Sequence, residues 1–315
     1  MQNTSSTFHV GIDVSGKFLD IAVLETAETF RVDNQPHAID ELVARMLTLD
    51  PALIVMEATG KLELAVLSAM LMAGLPAVAV NPRNVRAFAH ATGQRAKTDR
   101  IDSLLIARYA QAVKPPVRPL TDGHTQQLQA LLLRRLQLLE MLNAEVARLR
   151  RAHPATRPSL RENIKWLSQQ VHIADLDIGA FVRACPAWQD KEALLRSVPG
   201  VGPTISATLL AFLPELGSLD NREIASLAGL APFNCDSGAR KGKRRIAGGR
   251  IAVRRVLYMA CISGQRWNAT IKALNTRLLA AGKPFKVAIT ACMRRLLVML
   301  NAMVRDSAPW NPIAA

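Results

Sequence analysis

The chain has 315 residues, half of them apolar, and a formal charge of +15 from 40 Lys/Arg against 25 Asp/Glu. That length fits about two domains, the apolar share excludes a disordered chain, and the positive excess points to a polyanionic partner. The cysteines Cys185, Cys235, Cys261 and Cys292 show no C-x-x-C spacing, which argues against zinc. The start lacks a basic-then-apolar leader, so a cytosolic protein with buried, reduced thiols is expected.

The first part of the chain alternates strand and helix. Apolar runs predict strands at Phe8–Val14 and Phe18–Leu24, joined by the short turn Ser15-Gly16-Lys17, with a third at Thr29–Val32. Helical spacing covers Ala38–Leu49, and Pro51 lies just past its end. A strand at Leu53–Glu57, a helix at Leu62–Met72, a strand at Ala77–Val80, a helix from Pro82 and another from Thr98 to Ala112 follow. The uncharged stretch Leu64–Pro82 is divided by Gly74 and Pro76, so it parses as helix, turn and strand rather than a membrane span. Three strands, two further strands separated by helices, then a helix, is the order of an RNase H-like α/β domain, here residues 1–113.

Lys114-Pro115-Pro116-Val117-Arg118-Pro119 cannot continue a helix and reads as a linker. Beyond it, Leu128, Leu132, Arg135, Leu139, Leu142, Val146 and Leu149 alternate steps of four and three. A second such seam runs from Leu160 through Ile164, Leu167, Val171, Ala174 and Ile178 to Phe181. Two heptad helices about the prolines Pro154 and Pro158 predict a coiled-coil hairpin within residues 114–189, suited to oligomerisation; a local helical core explains the same seams. Residues 190–315 are expected to form a mostly helical basic domain. It opens with Pro199-Gly200-Val201-Gly202 ahead of a predicted helix Ile205–Leu213. Pro-Gly-x-Gly before a helix suits a helix-hairpin-helix element whose amides at Gly200 and Gly202 meet phosphate; a plain interhelical turn explains the same glycines.

The charge is unevenly spread. Residues 1–112 carry 10 Lys/Arg against 12 Asp/Glu, whereas residues 221–295 carry 16 Lys/Arg against only Glu223 and Asp236. A block of one sign is the ordinary means of neutralising phosphates, so this stretch is expected to contact nucleic acid.

Four carboxylates stand where they can do chemistry. Asp13 lies within the first predicted strand, Glu57 ends a later one, and Asp99 and Asp102 sit three apart at a helix start, on one face. Charges inside apolar strands are costly unless a cation or partner balances them. Hard divalent cations, Mg²⁺ or Mn²⁺, held by such carboxylates can serve phosphoryl transfer. Arg83, Arg86, Arg95 and Lys97 lie close in sequence and are suited to balance them or to hold a nucleic-acid strand. A second candidate is Asn234-Cys235-Asp236-Ser237-Gly238-Ala239-Arg240-Lys241-Gly242-Lys243-Arg244-Arg245, a glycine-rich basic loop, with Arg250 and Arg254 following as further phosphate contacts. It is not a P-loop, because three residues rather than four separate Gly238 and Gly242. A serine hydrolase is excluded by the absence of G-x-S-x-G and of any histidine after residue 172. Ser237 reads either as a turn residue or as a nucleophile toward phosphodiesters among basic groups. Tyr258 lies in a helical stretch and is expected to be packed, without the Arg/His surroundings of a tyrosine recombinase.

Taken together these stretches resemble the IS110-family DEDD transposases, whose relatives include a site-specific DNA invertase. The likeness rests on Gly11-Ile12-Asp13-Val14-Ser15 with Lys17, Met56-Glu57-Ala58-Thr59-Gly60, and Asn81-Pro82 with Lys97-Thr98-Asp99-Arg100-Ile101-Asp102. It continues through Val198-Pro199-Gly200-Val201-Gly202, Ala228-Gly229-Leu230-Ala231-Pro232, Asp236-Ser237-Gly238, Gly248-Gly249-Arg250 and Arg254-Arg255-Val256-Leu257-Tyr258-Met259-Ala260. The resemblance implies a RuvC-like domain with a metal site at Asp13, Glu57, Asp99 and Asp102, and a C-terminal transposase domain with Ser237 as nucleophile. It also implies donor and target DNA as substrates, a structured noncoding guide RNA as partner, and a homodimer or homotetramer with composite active sites. A bacterial, nucleoid-associated protein in the cytoplasm is implied as well. Two rivals share some of these residues. A metal-dependent nuclease such as a junction resolvase would leave Ser237 structural, and an actin-like or sugar-kinase-like ATPase also begins with a Gly-Ile-Asp strand but leaves the basic block unexplained.

Overall fold

The structure, a computed structural model, describes residues 8–60, 62–93, 99–117, 122–234, 236, 237, 242 and 244–311, and leaves out the side chains of residues 99–101. The chain forms two compact units, Met1–Thr121 and Asp122–Ala315.

The first unit contains β1 (His9–Val14), β2 (Phe18–Val23), β3 (Glu28–Asp33), α1 (Pro36–Leu49), β4 (Leu53–Glu57), α2 (Leu64–Met72), β5 (Ala77–Val80), α3 (Pro82–Ala91) and α4 (Asp99–Val113). The sheet order is β3-β2-β1-β4-β5. β1, β2 and β3 pair antiparallel, while β4 joins β1 and β5 joins β4 in parallel. This is the mixed five-strand sheet expected from the strand–helix order. Alternation along the strands divides the core in two. Val10, Ile12, Val14, Ile54 and Met56 pack with Ile39, Leu42 and Met46 of α1 and Val66 and Met70 of α2. Leu53, Val55, Val78 and Val80 pack on the opposite face with Val85 of α3 and Leu105, Ile106 and Tyr109 of α4. The stretch weighed as a membrane span is indeed α2, a turn and β5. Asn81 caps α3, its side chain accepting the Arg83 N–H at 2.9 Å with Pro82 in the first turn.

The second unit contains α5 (Gly123–Leu149), a 3₁₀ turn at Pro154–Thr156, α6 (Arg157–Ala184), α7 (Pro186–Arg196), α8 (Pro203–Phe212), α9 (Asn221–Leu227), β6 (Pro232–Phe233), β7 (Arg245–Ile246), α10 (Ile251–Trp267), α11 (Ala269–Ala280) and α12 (Phe285–Arg305). α5 and α6 form the hairpin, turning at the prolines. At its base Leu128, Leu132, Ile178 and Val182 join a single core with Leu195, Leu209, Leu257, Leu297 and Leu300. Further out, Leu139, Leu142, Val146 and Leu149 are only half-buried, because two helices alone cannot enclose a seam. Arg135, the polar member of the first seam, forks onto Asp175 of α6 at 2.5 and 3.2 Å. α8 starts two residues earlier than its apolar spacing predicts, since Pro203 is well tolerated in a first helical turn. α12 is long and apolar enough to cross a membrane by length and composition, yet 56% of its most apolar window is buried in this core.

Candidate active site

The sheet register brings two of the carboxylates side by side. Ile12 of β1 lies opposite Met56 of β4 in the parallel ladder, so Asp13 and Glu57 are the next matched positions. They close the C-terminal ends of neighbouring strands, and period-two alternation puts both on the face that carries Val55 and Gly11. α4 covers that face. A Cβ on Gly11 would collide with the Ser103 carbonyl oxygen and the Ala107 nitrogen, so β1 and α4 touch backbone to backbone there. Asp102 immediately precedes Ser103.

The direction of α4 sets which end of the helix meets the carboxylates. At its far end Gln111 donates to Glu25 at 3.5 Å, and Glu25 accepts the backbone N–H of His9, the first residue of β1. The C-terminal end of α4 therefore lies at the beginnings of the strands. Its first turns, with Asp99 and Asp102, lie at the strand ends that carry Asp13 and Glu57. Asp13, Glu57 and Asp102 are each half-buried and each engaged in interactions within the fold.

Two neighbours escaped the sequence reading. Asp20 faces Asp13 directly across the β1–β2 ladder, and Arg31, opposite Asp20 on β3, forks onto it at 2.9 and 3.0 Å. Alternating strand positions give Asp20 away only once the register is known. Glu63 is 7% exposed and accepts the Thr59 N–H at 2.9 Å, pinning the turn that leaves β4 just after Glu57. An acidic residue opening an apolar helix was the available signal for it.

Carboxylates at the C-terminal ends of two central strands match the preference of a small hard cation, which keeps several waters and takes few protein ligands. Among the described residues, no three His, Cys, Asp or Glu side chains form a metal-holding group, and the Asp99 side chain lies outside the description. The donor chemistry of Asp13, Glu57 and Asp102 suits a hard divalent cation such as Mg²⁺ or Mn²⁺.

Ser237 belongs to the second unit. β6 and β7 pair antiparallel, Pro232 with Ile246 and Phe233 with Arg245, and the basic loop connects them. Ser237 is exposed on the outgoing arm, and Asp236 beside it accepts the Gly242 N–H at 3.0 Å, tying the loop to itself. Cys235, Arg240, Lys241 and Lys243 lie outside the described residues, as do Arg95 and Lys97 of the first unit. Arg244 and Arg245 are exposed on the returning arm, and Arg83 is exposed on α3.

Other expected contact residues have work inside the fold. Arg250 forks onto Glu215, one bond at 2.6 Å, and donates to the Phe212 carbonyl at 3.0 Å. Arg254 donates to the carbonyls of Ala228, at 3.2 Å, and Gly248. Gly200 adopts φ +99°, and a Cβ there would meet the Ala260 carbonyl and Gly264 of α10 at 2.9 Å, so its need for glycine is explained by packing. Cys261 and Cys292 are buried thiols; burial, reinforced by the neighbouring Cys292, pushes Cys261 up to about 12, which makes it inert as a nucleophile. Tyr258, expected to be packed, is instead 39% exposed.

A family profile of IS110 DEDD proteins, described as a transposase, matches residues 10–158, and one described as transposase IS116/IS110/IS902 family matches residues 192–275. The chain is 31% identical over 238 residues to the pilin gene-inverting protein of Moraxella bovis, spanning 74% of this chain and 73% of that one. Identity and coverage are the same for the pilin gene-inverting protein of Moraxella lacunata. A protein of insertion element IS116 from Streptomyces clavuligerus is 30% identical over 125 residues, 39% of this chain and 31% of that one.

Proposed function

Because the chain belongs to the IS110-family DEDD transposases, whose chemistry is phosphoryl transfer on DNA, we propose that it exchanges DNA strands through a transient bond between Ser237 and a phosphate. The observation that carries this reading is the juxtaposition of Asp13 and Glu57 on adjacent parallel strands beneath the first turns of α4. Asp13, Glu57, Asp99 and Asp102 would hold Mg²⁺ or Mn²⁺, which supplies Lewis-acid stabilisation of the charge that develops on phosphate oxygens.

The chain's own residues do the rest. The Ser237 hydroxyl attacks phosphorus, forming an O–P bond as the bond to one deoxyribose oxygen breaks; the serine proton leaves and the departing sugar oxygen gains one. A hydroxyl of another strand then reverses the step on the phosphoserine, so phosphodiester number is conserved and no ATP is consumed. Arg244 and Arg245 stand on the same hairpin to neutralise the phosphate, with Arg240, Lys241 and Lys243 assigned the same task. In this reading residues 1–113 bear the metal ligands, 114–189 the oligomerising hairpin and 190–315 the nucleophile. The positive block also suits a structured guide RNA, and a dimer or tetramer would let the serine of one copy serve the carboxylates of another.

Denaturing gels test the central claim. Incubation with DNA carrying the element's junctions in Mg²⁺ should give a protein–DNA adduct that Ser237→Ala abolishes; clean hydrolysis indifferent to that substitution would make the protein a plain nuclease. The relatives named as pilin gene-inverting favour inversion as a second reading. A plasmid with paired sites in inverted orientation separates the two, since inversion flips the interval and transposition does not.

A further inference from the structure

A groove of about 950 Å³ opens on the second unit between α10, α12 and the β6–β7 hairpin. Its floor is apolar, with Leu230, Ile289 and Met293 at the bottom. Two aromatic rings line it and remain open to solvent, Tyr258 at 39% and Phe285 at 45% exposure. Its cations are Arg244, Arg245, Lys286 and Arg294, together with Arg254, braced on the carbonyls of Ala228 and Gly248, and Arg255, paired with Glu140 at 3.5 Å; no carboxylate is among the described residues that line it.

We propose that this groove holds a short unpaired stretch of single-stranded DNA next to the site of strand cleavage. The inference rests on reading the Ser237 hairpin as the cleavage locus. A lining whose charges are all positive selects a polyanion. The rings decide against duplex, whose bases are stacked on each other and turn only their edges and phosphates outward. Exposed rings set between cations are what unpaired nucleotides use: bases stack on the rings while the phosphates follow the charges. At this volume the groove accepts a few nucleotides rather than a long strand. DNA is the strand selected, because β7 both lines the groove and completes the hairpin that carries Ser237. A strand seated there is continuous with the phosphate under attack. Strand exchange requires such a segment, since bases beside the break must leave one partner before joining another.

The test uses the full chain and fluorescence anisotropy with three probes: a short labelled oligothymidylate, a mixed-sequence duplex of equal length, and the matching oligouridylate. The double variant Tyr258→Ala/Phe285→Ala removes both rings; they are exposed, and an unchanged Tm confirms the fold. Affinity for the oligothymidylate should fall on the order of tenfold or more, with duplex binding held within about twofold on the cation-dominated term. Tyr258→Phe keeps the ring and should bind as the native chain does. Undiminished oligothymidylate binding in the double variant overturns the proposal, and so does an equal loss for duplex. Oligouridylate bound as tightly and with the same ring dependence would reassign the groove to RNA. A change in oligomeric state with oligothymidylate binding intact would reassign it to protein docking. Ser237→Ala should leave binding of all three probes unchanged, so loss of the serine mechanism and loss of the groove are read in separate assays.

Discussion

Gly11→Ala is the sharpest test of how β1 and α4 are joined. The added methyl would point into α4, within contact distance of the Ser103 carbonyl oxygen and the Ala107 nitrogen, with the Ile106 carbonyl carbon at 3.0 Å. These are backbone atoms of a helix whose neighbours Leu105, Ile106 and Ala107 are buried, so no flexible side chain can swing aside. Restoring ordinary carbon contacts of about 3.5 Å requires the helix to retreat by roughly 1 Å. Overpacking of this kind costs about 1–3 kcal/mol. The same displacement carries Asp102 away from Asp13 and Glu57, and a misplacement near 1 Å at a reacting centre costs about 100-fold in rate. Urea denaturation and plasmid recombination are measured together, with Gly16→Ala as the control, because nothing lies within 4 Å of a Cβ there. Gly11→Ala should lose both stability and activity while Gly16→Ala loses neither. A Gly11→Ala protein as stable and as active as the parent would refute the backbone contact and with it the route by which α4 reaches the site.

Two further predictions concern charges that the fold uses differently. Arg250→Gln and Glu215→Gln each break the same ion pair and should each cost about 1.5–3 kcal/mol, with the slope of DNA affinity against salt unchanged. Arg245→Gln, on the exposed hairpin, should leave Tm alone and reduce that slope by about 0.9 if it meets a phosphate. A salt slope that drops in Arg250→Gln would show that Arg250 serves DNA rather than Glu215. Asp122 caps α5 by accepting the Thr125 hydroxyl at 2.7 Å and its N–H at 2.8 Å, and these bonds hold its carboxyl below the ordinary value. A depressed folded value means the stabilisation is present above the unfolded value, about 3.9, and is lost as pH falls through the folded one. Asp122→Ala should therefore cost about 1 kcal/mol at neutral pH, and the gap to the parent should narrow below about pH 4. A gap constant across that range would exclude the charged cap as its origin.

The first unit was legible because its signals are local. Val10-Gly11-Ile12-Asp13-Val14 and Leu53-Ile54-Val55-Met56-Glu57 place a charge in an otherwise apolar strand, and helical spacing between them set the order of elements. Asp20 and Arg31 were not legible, since their relation to Asp13 exists only across the ladder. In the second unit, composition marked the basic block but could not separate its arginines. Arg250 finds Glu215, 35 residues earlier in the chain, and Arg254 braces the turn at Gly248. The exposure of Tyr258 has a different reason. Val253, Leu257, Ala260, Cys261 and Gly264 form the inward stripe of α10; Tyr258 falls about 100° away from Leu257 on the helix, which turns it to the groove.

The split of charge between the units leads to one more expectation. Residues 1–112 carry more acid than base, and Asp13, Asp20, Glu57 and Asp102 cluster their negative charge on one face of the sheet. A unit with that balance offers a phosphate little net attraction of its own. The affinity for DNA must then reside in the basic block of the second unit, which needs no metal to attract a polyanion. Removing divalent cations with EDTA should leave DNA bound, with an affinity that weakens steeply with salt, while strand cleavage stops. Adding Mg²⁺ back should restore cleavage without a comparable gain in affinity. If EDTA instead released the DNA, the carboxylates would be a principal anchor, and the division of labour argued from the charge distribution would fail.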